Sequence, residues 1–145
     1  MITKSFNEFI SEGFDSSTPN ADKLGRYFTR LLAIRDQAHV FHWQTNSFAQ
    51  HEAFGEFYED FLEGVDEMVE AIMGIKGRPT FGEGASIIIS DYSPENINRF
   101  FESAYPVFDN ELSAICDSEV NEEIFDLARA ILANIDKLKY LMTLK

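Results

Sequence analysis

The amino-acid sequence predicts an all-α fold, a four-helix bundle with one long crossover connection. Apolar residues return at three- and four-residue spacing in four separate stretches, the signature of helices that bury one face. The first two stretches are joined by a few turn-forming residues, and so are the last two. Between the second and third lies a glycine-containing segment of irregular pattern, long enough to cross the bundle.

The first stripe is Leu24, Tyr27, Phe28, Leu31, Leu32, Ile34, Ala38 and Phe41, with Arg26, Arg30, Arg35 and Asp36 between, so a helix is expected from about 21 to 43. The turn residues of "QTNSFAQ" interrupt it. The second stripe, from Phe54 through Phe61 and Val65 to Met73, predicts a helix from about 50 to 74 that ends at "GIKGRP". Residues 75–92, with the β-branched run "SIIIS", form the crossing connection. "SPEN" at 93–96 starts the third helix, with Ser93 as cap and Pro94 in the tolerated first position. Pro106 is expected to kink or split that helix, because it has no amide hydrogen and its ring crowds the preceding turn. After "CDSEVN" the stripe from Ile124 to Met142 forms the last helix. This order of elements is that of the ferritin-like four-helix bundle, over residues 21–145, preceded by a leader and linker at 1–20.

Composition narrows the function. The 145 residues hold 25 Asp and Glu against 12 Lys and Arg, a formal charge of -13. Nucleic-acid binding relies on clustered cationic side chains, so a nucleic-acid partner is not expected, whereas cations are. No apolar run approaches the roughly 20 residues of a membrane span, so no membrane partner is expected either. The single cysteine, Cys116, forms no intrachain disulfide and suits a reducing, cytoplasmic setting.

All three histidines, His39, His42 and His51, and the single tryptophan, Trp43, fall within "HVFHWQTNSFAQHEAF" at 39–54. On the second helix, Asp66 and Glu70 follow the row His51, Gly55, Tyr58, Leu62, otherwise largely apolar. Burying two ionised carboxylates there requires a partner, and a divalent metal is one; the alternative is that the helix turns enough there to solvate both. Imidazole with carboxylate suits iron, zinc or manganese better than calcium or magnesium. One chain cannot bring His51 and Asp66 to one ion, since they stand roughly 22 Å apart along a helix axis. Two chains antiparallel about a two-fold axis would do so twice. His39, with Asp36 three residues before it, could hold an extra ion or tune the first; a half-exposed, hydrogen-bonded histidine is the plainer alternative.

The segment "FHWQTNSFAQHEAFGEFYEDFLEGVDEMVEAIMG" at 41–74 resembles the Dps family, the mini-ferritins. Its pattern there is a His-Trp ending one helix, a second His opening the next, and an Asp-x-x-x-Glu fifteen residues further on, here His42-Trp43, His51, and Asp66 with Glu70. "NIDKLKYLMTLK" is similar to the end of that family's last helix. The resemblance implies a ferroxidase site shared between subunits, His42 and His51 from one chain and Asp66 and Glu70 from its neighbour, with Trp43 packed beside it. It also implies Fe(II) as substrate, hydrogen peroxide or dioxygen as oxidant, and a homodimer within a hollow dodecamer that stores ferric mineral. Zinc or manganese could substitute for iron. Gly55 stands where the family often has an acidic ligand, and the stretch from His42 to His51 is shorter than in many members. The basic tail by which some members bind DNA has no counterpart.

The opening "KSFNEFISEG" resembles the capsid-targeting leader of internal head proteins in large T-even-like phages, with Ile10-Ser11-Glu12 as the cleavage motif. That resemblance implies a phage-infected cell or a capsid as location. The alternative to a ferroxidase is a packaged or structural phage protein that keeps the bundle without iron chemistry.

Overall fold

The computed structural model describes residues 20–82 and 85–145; the leader and its cleavage motif lie outside them. The described residues are helical, with no strand: α1 (Asn20–Gln44), α2 (Phe48–Lys76), α3 (Pro94–Val107), a single turn α4 (Asn110–Ser113), and α5 (Glu122–Leu141). The four long helices match the four stripes in order. No helix among them is long and apolar enough to cross a membrane.

The helix ends follow local chemistry. Ser47 caps α2 by accepting the Gln50 amide, and Ser93 caps α3 by accepting the Asn96 amide, each satisfying an otherwise orphaned N–H. Helix α2 stops at Gly77, whose N–H returns to the Met73 carbonyl at 2.9 Å. Pro106 is accommodated in the last turn of α3, and the chain then breaks at Phe108 and Asp109 before α4. The third predicted helix is thus split just beyond its proline.

Contacts fix the topology. Gly64 meets Ile131, and Glu56 meets Lys137 at 2.8 Å, so α2 and α5 run antiparallel. The α3 start sits beside the α1–α2 turn, where the Tyr92 hydroxyl donates to Gln50 and Gln44 donates to Asp91. Tyr27, near the other end of α1, donates to the Val107 carbonyl at 2.8 Å. Helices α2 and α3 therefore run in the same sense, and the connection between them traverses the length of α1.

The core is aromatic. Phe41, Phe54 and Phe61 are fully buried, and Phe61 meets Phe108 edge to face at 84°. Truncating one such ring to alanine costs about 3–5 kcal/mol. Two phenylalanines lie outside the core: Phe48 and Phe81 are exposed, at 78% and 45%.

Arg30 also departs from its expected place between the apolar positions, for it is only 2% exposed and pairs with Glu111 of α4. Burial lowers the guanidinium pKa, against the pull of Glu111, and raises that of the Glu111 carboxyl, against the pull of Arg30. The pair fastens α4 to α1 beneath the broken end of α3.

The crossing connection is docked along α1. Thr80 donates its hydroxyl to Asp22, and a Cβ at Gly25 would overlap the Thr80 carbonyl, so only glycine lets the connection lie this close. Further along, the Gln37 amide donates to the Ser90 carbonyl and accepts from the Ser90 N–H, both at 2.8 Å. Gln37 is 3% exposed, and these bonds satisfy its buried polar atoms.

Candidate metal centre

The short turn between α1 and α2 sets His42, in the last turn of one helix, against His51, in the first turn of the next. Thr45 and Ser47 tighten it: the Thr45 hydroxyl donates to Gln50 at 2.8 Å, and the Ser47 N–H donates to Thr45 Oγ1 at 3.1 Å. The brevity of this stretch therefore brings the two imidazoles together. Their rings stack with centroids 3.8 Å apart and planes 17° from parallel.

The hydrogen bonds of the pair are reciprocal. His42 Nδ1 lies 2.6 Å from the His51 carbonyl oxygen, and His51 Nδ1 lies 2.9 Å from the His42 carbonyl oxygen. A carbonyl only accepts, so both Nδ1 atoms carry the hydrogen. In the neutral rings the lone pair then resides on Nε2 of each. This is the arrangement in which a histidine is oriented through one nitrogen and binds metal through the other.

Gly55 makes room for it. A Cβ there would stand 3.0 Å from His42 Cε1 and 3.1 Å from Nδ1, tighter than ordinary packing. The position that supplies no ligand thus lets the imidazole lie against the helix backbone. Neither the reciprocal bonds nor this role of Gly55 could be read from the residue pattern, although a glycine within the row of His51 and Tyr58 marks a place of close approach.

His39 stacks on Tyr58 at 4.1 Å and 22°, and touches Trp43 with centroids 4.3 Å apart. Its ring lies 6.1 Å from that of His42, while Asp36 pairs with Arg35 at 3.2 Å. Trp43 meets only His39 among the histidine rings, with 67% of its surface exposed.

Asp66 and Glu70 are both exposed, so of the two alternatives for their row it is the solvated one that the single chain adopts. Helix α2 turns both carboxylates outward, so within one chain solvent replaces the partner that burial would demand. Among the described residues of a single chain, no three of His, Cys, Asp and Glu gather closely enough to hold a metal ion. The structure brings together His42 and His51, sets His39 and Trp43 beside them, and leaves Asp66 and Glu70 more than four helical turns away.

A model described as a family of unknown function (DUF5856) matches residues 42–142, a span that begins at His42 and includes His51, Asp66 and Glu70. No curated protein and no solved structure matches the chain.

Proposed function

From the premise that the chain belongs to this family of unknown function (DUF5856), we propose that it is a mini-ferritin-like ferroxidase whose Fe(II) site is built between two copies. The observation that carries the proposal is the reciprocal Nδ1 bonding of His42 and His51, which frees two Nε2 lone pairs at the edge of the α1–α2 layer. Asp66 and Glu70, exposed on the same layer, supply the carboxylates from the second copy. Imidazoles hold Fe(II), and the harder carboxylates favour Fe(III) as it forms. Two Fe(II) reduce one hydrogen peroxide to two water molecules with uptake of two protons, and the ferric product passes to storage. Trp43 walls the site, and His39, engaged in stacking on Tyr58, shapes it from the side. The four-helix order with one crossover along α1 is compatible with the ferritin-like architecture that the function calls for.

The test is an anaerobic Fe(II) titration followed by peroxide, on the wild-type chain, His51→Ala, Asp66→Ala, and a mixture of the two variants. Each variant alone should lose saturable binding and fast oxidation. In the mixture, random pairing restores about a quarter of the shared sites, so recovery to that level supports a site spanning two chains. Undiminished oxidation in both variants would defeat the proposal and favour a bundle protein without iron chemistry.

A further inference from the structure

We infer that the cleft opened where α3 breaks beyond Pro106 is a binding site for a small methylated ammonium ion, seated against Tyr105, Phe108 and Phe125 with Asp109 as its counter-charge. The inference is independent of the iron site. Val107, at this break, is bonded by Tyr27 near the start of α1, whereas His42 lies in the last turn of that helix.

The cleft follows from the proline. Pro106 sits in the last turn of α3, the Phe108 N–H reaches back to the Tyr105 carbonyl at 3.2 Å, and Asp109 takes φ -132° and ψ -91° before α4 begins. An uninterrupted helix would have carried its side chains onward against α5. The broken chain leaves a cavity of about 330 Å³ between the break and α5. Ligand sites run from roughly 300 to 1,000 Å³, so this one has room for a single small molecule.

Its walls are largely apolar. Tyr105, Pro106 and Phe108 line it from the break, and Phe125 and Leu132 line it from α5. The Tyr105 hydroxyl donates to Asp136 at 2.6 Å, which fixes the ring and keeps it electron-rich. The Lys139 ammonium already lies over that ring, 6.0 Å from its centre, so Tyr105 attracts a cation within the chain itself.

Charge selects what enters. Asp109 lines the cleft and, although it stands at the N-cap position of α4, its side chain makes no capping bond. The negative end of the α3 dipole falls at the same break. Arg129 also lines the cleft, but its guanidinium is paired with Asp126 at 2.5 Å. Around the cleft, Asp109, Asp126 and Asp136 thus outnumber Arg129 and Lys139, and the whole chain carries -13, a field that draws cations and repels anions. A primary ammonium needs acceptors for three N–H groups. Here Asp136 is engaged by Tyr105, Asp126 by Arg129, and the Tyr105 and Pro106 carbonyls by the Phe108 and Asp109 N–H groups. A fully methylated ammonium makes no such demand, and aromatic walls beside a carboxylate suit it.

The experiment is a titration of the full chain, followed through its backbone amide resonances, with choline, with its neutral isostere 3,3-dimethylbutan-1-ol, and with ethanolamine. Choline should saturate, shift the amides of Phe108, Asp109, Asn110 and Arg129, and leave those of His42 and His51 in place. It should bind at least about tenfold tighter than either the neutral isostere or the primary amine. Asp109→Asn, a change at an exposed position, should weaken choline about fivefold and leave the neutral isostere unaffected. Equal affinity for choline and its isostere would show a cleft indifferent to charge and overturn the inference. Ethanolamine binding as tightly as choline overturns it as well, by removing the role of the methyl groups. Choline shifts absent from the cleft or spread over the acidic surface, or wild-type affinity in Asp109→Asn, have the same consequence.

Discussion

His42 and His51 each donate Nδ1–H to the other's backbone carbonyl, at 2.6 and 2.9 Å, across stacked rings. Two side chains nine residues apart therefore fix each other's tautomer and orientation before any ligand arrives. In the apo protein, nitrogen NMR should find the neutral form of both rings protonated at Nδ1. Added zinc, a diamagnetic stand-in for iron, should perturb the Nε2 resonances and leave the Nδ1 protons in place. Nε2-protonated rings would remove the basis for metal binding here.

Gly55→Ala separates stability from site geometry. Alanine gains up to about 1 kcal/mol of helix propensity over glycine, but its Cβ would sit 3.0 Å from His42 Cε1 and must displace the ring. Thermal stability is expected to hold or rise by a few degrees while Fe(II) affinity falls severalfold. A fall in stability with unchanged affinity would mean that the imidazole stays and the backbone yields instead.

The buried Arg30–Glu111 pair predicts a non-additive pair of variants. Arg30→Met leaves the Glu111 carboxylate buried without its cation and should destabilise by about 3–5 kcal/mol. Adding Glu111→Leu removes the orphaned charge and should recover most of the loss in urea unfolding. Additive losses would show that the ion pair contributes nothing beyond packing.

Stability should fall on the alkaline side. The Tyr27 hydroxyl is held well above its ordinary pKa of 10.0, chiefly by burial and then by Glu111. Below pH 10 both states keep the proton; above it the unfolded chain ionises first, so stability drains away as pH rises toward the folded-state value. Tyr105, pushed up to about 12 by burial and its bond to Asp136, adds in the same direction. Urea midpoints measured from pH 9 to 12 should decline. Tyr27→Phe should start lower, lacking the bond to the Val107 carbonyl, and decline less steeply.

The sequence by itself determined what depends on neighbours along the chain. Four apolar stripes specified four helices, Ser93 and Pro94 specified where α3 begins, and Pro106 specified that α3 would be interrupted, because periodicity and capping act within one or two turns. The clustering of His39, His42 and His51 was equally plain. Tertiary structure decided what distant residues impose on one another. Arg30, grouped by pattern with polar positions, is buried because Glu111 arrives to neutralise it, 81 positions further along. Asp66 and Glu70, grouped with the buried row, face solvent, because which flank of a helix is covered depends on the elements packed against it. The tautomers of His42 and His51, the clearance above Gly55 and the grip of Gln37 on Ser90 arise where two backbones approach, and an approach between elements leaves no periodic trace in either one.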